Sequence, residues 1–355
     1  MRRVQIIWAI AAKDILEAVK NKNALMALIG TFFIVVLYRL MPVMNVSEKP
    51  YIPVYDAGDS KLVAMLDNSG EINLRDRATK AKMEEYLSRA NVPELGLLIP
   101  ADFDQAVANG DPLILQGYVM SWVNDSQAAE LQQFTETFIA ELLGAPVEIQ
   151  IAGNIVYMQP DSRGWMMAPL AIVFAVILMG CSLVPQLVLE EKKTKTMDAL
   201  LLSPAGPFEI AMGKAVVGLF YGVLTTGVAL AIYSHLVRQW WLAIAAVLCG
   251  TMFTIALGLL LGTVIETQQQ LRLFSLFVIM PLFLPAAFML LGDLLPDWLI
   301  AIFRWVPLVA VLRLLRISFS NQSGWALYGP PFAVLLGSII VAMALVVWRM
   351  RRLEK

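Results

Sequence analysis

Charge is the scarcest ingredient of this 355-residue chain. Asp, Glu, Lys and Arg make up 15% of it, against about 25% in ordinary soluble domains. The net charge is -1, so the basic footprint of a nucleic-acid binder is missing and no nucleic-acid partner is expected. The one histidine, His235, cannot build a multi-histidine metal site. The two cysteines, Cys181 and Cys249, both fall inside apolar runs, which leaves neither a disulfide framework nor a CxxC metal site. What is abundant is apolar: 59% of the residues, with a mean hydropathy of +0.69. These figures exclude a soluble single-domain enzyme and a disordered chain. They leave an integral membrane protein.

Runs of about 18 or more apolar residues mark membrane helices. Six are read, at 24–44, 165–189, 210–233, 241–265, 273–291 and 328–348. The first is too long for a signal-peptide core and lacks a small-residue cleavage site, so it is read as retained. The fifth is interrupted by Pro281 and Pro285. Segment 292–320 carries Arg304, Arg313 and Arg316 and is broken by Pro296 and Pro307. It is read as one or two short helices dipping into the outer half of the membrane. Lysines and arginines cluster in the N-terminal 22 residues, in the loop after the second span (Lys192, Lys193, Lys195) and at the C-terminus. With six spans these three segments share a side, which predicts cytoplasmic termini in a multi-pass protein of the inner or plasma membrane. Residues 349–355 are then a cytoplasmic tail.

Residues 1–23 are not a tail. Val4, Ile7, Trp8, Ala11, Ile15 and Val19 recur at helical spacing, with Arg3, Lys13, Asp14, Glu17 and Lys20 largely opposite. This suits a helix lying in the membrane interface; simple packing on neighbouring helices is the plainer alternative. Between the first two spans, 45–163, short β-type and helix-type runs alternate. Strands are expected at 51–55, 71–74, 95–99, 113–123 and, last, 147–151. Helices are expected at 59–66, 79–90, from 100, and at 126–143. That pattern predicts a mixed sheet in an α/β extracytoplasmic domain. The domain has no histidine, cysteine, GxSxG elbow or GxGxxG turn. Asp102, Asp104 and Asp125 are explained by helix starts and turns. Binding or gating is the better reading of it than catalysis. The predicted fold is thus an α-helical polytopic membrane protein with six transmembrane helices and this α/β domain inserted between helices 1 and 2. Residues 164–348 hold helices 2–6.

The loop after the second span carries a charged helix start, Glu190, Glu191, Lys192 and Lys193, then Thr194, Thr196, Met197, Asp198, Leu200 and Leu201, before Pro204 and Pro207 stop it. Met197, Leu200 and Leu201 share a helical face. An apolar stripe beside charges suits docking into a groove on a partner protein. The plainer reading is an amphipathic connector resting on the lipid.

This stretch, with Glu209 and Gly213-Lys214 after it, resembles the ABC-2 type transporter permeases. There the matching segment is a coupling helix that docks on an ATPase subunit, which places that role on residues 190–204. The likeness covers the whole chain. Leu98-Ile-Pro-Ala-Asp-Phe103 is similar to a stretch of the large-ectodomain, type V exporter-like branch. Pro296, Trp298, Trp305, Pro307 and Arg313 look like that family's outer re-entrant hairpin. Lys195 departs from the pattern, since many relatives carry Gly before the Thr. The resemblance implies the permease subunit of an ABC exporter that is not itself an enzyme. It implies cytosolic ABC ATPase subunits, which supply the ATP and Mg, and a second permease copy, identical or homologous. A periplasmic adaptor is a further expected partner, as is membrane lipid.

The chain itself has no ATP site and no cofactor is expected in it. Gly213-Lys214-Ala215 resembles the end of a P-loop, but position 208 is Phe where GxxxxGK needs Gly, and Ala follows the Lys. No span carries an ionisable residue at its middle, which disfavours a proton- or sodium-coupled carrier. Polar content there is limited to Ser182, Thr225, Thr226, Thr251, Thr254 and Ser275. Methionines and aromatics such as Met179, Phe274, Phe277, Met280, Phe283 and Phe288 are read mainly as packing or lipid-facing, with a minority left to line an apolar pathway for an amphiphile. Gly218-x-x-x-Gly222 and Gly258-x-x-x-Gly262 match a helix-contact pattern and fit contact within the chain or between copies equally. Rival readings are a membrane-anchored ligand-binding sensor or scaffold, and an ion-coupled carrier. The cargo is not named by the sequence.

Overall fold

The computed structural model describes the chain except for residues 1, 21, 45–48, 89, 91–92, 152, 158–166, 194–206, 290–294 and 354–355. It divides into two compact units, Leu40–Met166 and the remainder, Met1–Arg39 with Met167–Lys355.

The unit Leu40–Met166 is an α/β fold. Its strands are β1 (Tyr51–Asp56), β2 (Asn73–Asp76), β3 (Gly96–Ile99), β4 (Leu113–Met120), β5 (Val147–Gln150) and β6 (Ile155–Val156). Its helices are α3 (Lys61–Ser69), α4 (Lys80–Leu87), α5 (Phe103–Asn109) and α6 (Asp125–Leu143). The sheet order is β2-β1-β3-β4-β5, with β6 beside the end of β4. Only β3 and β4 run antiparallel among these pairs, so the sheet is mixed. The period-2 rule explains its two faces. Ile52, Val54, Leu97, Ile99, Leu113, Leu115 and Ile149 pack with Leu62, Leu66, Phe103, Phe138 and Ile139 on one side. Tyr118 and Met120 pack with Met83, Leu87 and Val156 on the other. β6 lies beyond 147–151, so that strand is not the last; two residues carry too little periodicity to be read from sequence.

Helix ends follow capping chemistry. Thr79 Oγ1 accepts the Lys82 amide at 3.2 Å, and Asn124 Oδ1 accepts the Gln127 amide at 2.8 Å. α6 ends on Gly144 at φ 67°. The acids read as helix starts do stand at helix starts, although the Asp102 side chain makes no capping hydrogen bond. Asp102 is the N-cap residue of α5, and Asp125 lies in the first turn of α6. Asp104 accepts the Lys61 amide, tying α5 to the start of α3.

The other unit is helical. It contains α1 (Arg2–Lys20), the start of α2 (Lys22–Met44), α7 (Met167–Leu178), a π-helical turn (Met179–Leu183) and α8 (Val184–Lys193). α9 (Pro207–Ile232), α10 (Trp240–Val264), α11 (Gln268–Phe288), α12 (Asp297–Phe303), α13 (Pro307–Phe319) and α14 (Trp325–Leu353) follow. Among the described residues five helices are long and apolar enough to cross a membrane: Met167–Glu190, Glu209–Ile232, Trp240–Val264, Gln268–Phe288 and Trp325–Arg349. α12 and α13 meet at a 98° bend and make six if the pair counts as one span. α11 runs unbroken through Pro281 and Pro285. The prolines therefore do not interrupt it; membrane helices tolerate proline.

α1 lies along α9 rather than apart from the bundle. Ala11 packs with Met179, Leu183, Leu187, Val217 and Tyr221, and Tyr221 Oη donates to the Ile15 carbonyl at 2.6 Å. Asp14 departs from its expected place on the polar side: it is 3% exposed and accepts from Lys214 Nζ at 2.7 Å. Trp8 instead faces outward. The partner explains the exchange, since a buried carboxylate is tolerable only beside a counter-charge.

Candidate functional site

The helix Met167–Glu190 is built from small residues where other helices press on it. A Cβ on Gly180 would strike both the side chain and the backbone of Thr254 on α10. Gly258 in turn lies directly on the Gly180 carbonyl. The glycine repeats of α9 and α10 thus make contacts within the chain: Gly218 sits against Val184 and Ile255, Gly222 against Thr251, and Gly262 against Val188.

The π-helical turn Met179–Leu183 widens this helix at mid-length. Such turns disturb the regular backbone ladder, and hydroxyl groups of neighbouring helices can satisfy the loosened carbonyls. Two do so here. Thr254 Oγ1 donates to the Val176 carbonyl at 3.1 Å, and Ser275 Oγ of α11 donates to the Cys181 carbonyl at 3.1 Å. Of the hydroxyls noted in the sequence, Thr254 and Ser275 thus link helices, while Thr225 and Thr226 bond within α9.

Beside the Ser275 link lies a cavity of about 270 Å³. Ser182 and Gln186, one turn apart, form one wall. Gln268, Leu271, Ser275, Leu276 and Ile279 form the other, along one face of α11. The Thr267 hydroxyl caps that helix by accepting the Gln270 amide at 3.2 Å. Four of these seven described lining residues are polar. Gln186 Oε1 is buried and accepts no hydrogen bond. Sequence reasoning did not single out Gln186 or Gln268. The signal was available: Gly180-Cys181-Ser182 and Gln186 are small or polar residues inside an otherwise apolar run.

The expected coupling residues begin one turn beyond Gln186. Glu190 is partly exposed near the end of α8, and Glu191, Lys192 and Lys193 complete that helix. Thr194, Thr196, Met197, Asp198, Leu200 and Leu201 lie outside the described residues. The cavity wall and the charged stretch are therefore parts of one continuous helix. The expected hairpin residues fall on the bent pair. Pro296 caps α12 and Pro307 opens α13, where its missing N–H costs nothing. Trp298 and Trp305 are exposed, the latter at 76%, while Arg313 is half-buried on α13. Nearly all of α13 is buried, including Arg316. Gln239, before α10, donates to the Ile317, Ser320 and Gln322 carbonyls and so closes the end of α13. Lys214, the lysine of the P-loop-like tripeptide, is 2% exposed and held by Asp14, so it is not presented to a phosphate.

Elsewhere, burial acts on one carboxyl of the α/β unit. Glu94 is pushed up to about 7 by desolvation, against the opposing pull of the Tyr86 hydrogen bond and of Arg75 and Arg77. Tyr86 Oη donates to Glu94 Oε1 at 3.4 Å, and the guanidinium of Arg77 lies 4.5 Å from the centre of the Tyr86 ring. Among the described residues no group of three metal-ligating side chains converges.

A family model described as ABC-2 family transporter protein matches residues 22–348. The chain belongs to the ABC-2 transporter family. This family member is 23% identical over 321 residues to the probable multidrug ABC transporter permease YbhR of Escherichia coli K12, covering 82% of this chain and 84% of the relative. It is 27% identical over 236 residues to the inner membrane transport permease YadH of the same strain, covering 62% of this chain and 91% of that one. Similarity to the inner membrane transport permease YhhJ is 23% over 196 residues, 52% of each chain.

Proposed function

We propose that this chain is the transmembrane permease subunit of an ATP-driven ABC exporter. The observation that carries the reading is the family match from residue 22 to 348 over a chain of long apolar helices. In this reading α2 is the first of six spans, both termini are cytoplasmic, and the α/β unit is an extracytoplasmic insertion between the first two spans. α12 and α13 form the outer re-entrant hairpin, around Pro296, Trp298, Trp305, Pro307 and Arg313. Residues 1–23 lie at the cytoplasmic interface, in the inner membrane, as the names of YadH and YhhJ place those relatives.

A separate cytosolic ATPase binds ATP and Mg and grips residues 190–204 of this chain. A second permease copy, identical or homologous, completes the pathway. ATPase closure pushes on that segment, and the continuous helix transmits the push to Ser182 and Gln186 at the cavity. Cargo then leaves outward past the extracytoplasmic units, with an adaptor as a further partner there. The naming of YbhR as a probable multidrug permease supports a drug-like cargo, and a cavity lined by both polar and apolar side chains supports an amphiphilic one.

The test is co-purification of an ABC ATPase co-expressed with this chain. The wild-type chain should retain it and a Met197→Asp, Leu200→Asp variant should lose it. Equal retention by both removes the docking claim.

A further inference from the structure

We infer that Arg75 and Arg77, gathered on the ring of Tyr86 at the edge of the α/β unit, bind a tetrahedral oxyanion, and that the charge state of Glu94 beside them sets how tightly. The inference goes beyond the permease reading and does not depend on it.

β2 is an edge strand of its sheet. Arg75 lies on it and Arg77 follows its last residue. Side chains two apart along a strand share a face, with Cα atoms about 6.6 Å apart. The two guanidinium groups do meet at one ring. The central carbon of Arg77 lies 4.5 Å from the centre of Tyr86, and that of Arg75 5.7 Å from it. Arg75 is also 4.9 Å from the centre of the Tyr51 ring. The rings offset part of the repulsion between two like charges; an anion shared by both offsets more. Stacking engages the flat face of a guanidinium and leaves its fork of N–H donors for an acceptor. Arg75 is exposed and Arg77 half-buried, so an anion reaches them from solvent.

The number of donors selects the anion. A single fork already binds both oxygens of a carboxylate in the bidentate mode. Two forks beside one ring match an anion with more oxygens and more charge, such as sulfate or a phosphate monoester. A soluble ester and a lipid headgroup both present that group.

Glu94 supplies the control. It is 5% exposed and stands at the hydroxyl end of the Tyr86 ring, whose Oη donates to Glu94 Oε1. Burial favours its protonated form, while Tyr86 on α4 and Arg75 and Arg77 on the β2 side favour the ionised one. Ionised Glu94 therefore draws on the same two positive charges that an incoming anion needs. Below about pH 7 the carboxyl is neutral and does not compete. Anion binding thus weakens as pH rises through that value, and by reciprocity a bound anion makes Glu94 hold its proton more tightly.

The experiment uses the full chain in phosphatidylcholine nanodiscs. Phenylglyoxal modification of Arg75 and Arg77 is read by peptide mass spectrometry, with choline chloride holding ionic strength constant. Sulfate, doubly charged at both pH values used, should protect the two arginines together. Acetate should need about tenfold more, and chloride should not protect. Half-protection of the wild-type chain should take about fivefold more sulfate at about pH 8 than at about pH 6. Glu94→Gln should remove that difference. Arg75→Gln, a change at an exposed side chain, should raise the sulfate needed to protect Arg77 by about tenfold. A second arm replaces sulfate with phosphatidic acid in the nanodisc. Protection there assigns the anion to a headgroup, and protection by sulfate alone assigns it to a soluble ester; both support the site. No protection in either arm, equal protection by chloride, Arg77 protection unchanged by Arg75→Gln, or a pH dependence unchanged by Glu94→Gln would each overturn the inference. The wild-type ranking of anions and its pH dependence decide it alone if a variant does not fold.

Discussion

Helix Met167–Glu190 and α11 wall the same cavity, yet 78% of the most apolar stretch of the first is buried within its own chain and only 24% of the second. Both are apolar enough to cross a membrane. Small side chains at the closest approaches contribute to the difference. Along the first helix Ala168, Ala171, Ala175, Gly180 and Cys181 are all buried and let neighbours approach closely. Along α11 Leu273, Phe274, Leu276, Phe277, Met280 and Phe288 stand exposed. Where lipid is as apolar as leucine, helices associate through close packing of small residues rather than through hydrophobicity. Apolarity tells that a helix is in the membrane; residue size tells whether the chain itself or something else covers it.

The comparison breaks most sharply at Gly180. Leucine there has no room, because the obstruction on α10 includes backbone. Gly180→Leu should abolish a monodisperse peak in fluorescence-detected size exclusion, while Phe277→Ala, at a side chain 75% exposed, should shift stability by less than about 0.5 kcal/mol. A well-folded Gly180→Leu chain would show that the packing around the π-helical turn is not close.

The next effect sharpens the same contrast on α9, whose outer face carries exposed Phe220 and Leu224 and whose inner face holds Lys214. Lys214→Ala strands the Asp14 carboxylate and should cost about 3–5 kcal/mol. Removing Asp14 as well, in an Asp14→Ala, Lys214→Ala double variant, should restore most of the loss in thermal denaturation. Additive losses would mean the two charges are not coupled.

The smallest effect extends the comparison to the α/β unit, where burial acts on the Glu94 carboxyl. Glu94 sits near 7 in the folded unit against 4.5 for a free glutamate. The folded state thus holds the proton more tightly than the unfolded one, and Glu94's contribution to stability falls as pH rises from about 4.5 to about 7. Glu94→Gln should flatten the pH dependence of the melting temperature across that window, where one such group contributes at most about 1.4 kcal/mol per pH unit. An unchanged slope would mean Glu94 is not the group responsible.

Much of the architecture was legible in order and type. Alternating runs foretold the mixed α/β sheet, and apolar runs foretold the long helices to within a few residues. What escaped were features set by partners distant in sequence. Asp14 reads as a surface acid until Lys214, 200 residues away, is placed beside it. The prolines of α11 read as interruptions because chain-local rules do not see how a bundle supports a helix. Of the site, the pattern of charge and apolar residues from Glu190 gave an expectation whose residues 194–204 lie outside the described ones. The cavity was not legible, because Gln186 and Gln268 belong to different helices and acquire meaning only by facing each other.

The π-helical turn also fixes an angle. One extra residue in a turn advances everything after it by about 100° relative to an uninterrupted α-helix. Gln186 and Glu190 therefore point where they do because of Met179–Leu183. The turn acts as a phase setting between the part of the helix that packs against Thr254 and the charged end that begins at Glu190. Losing one residue there would leave composition and apolarity almost untouched, yet it would turn the glutamine off the cavity and aim the charged end in a different direction.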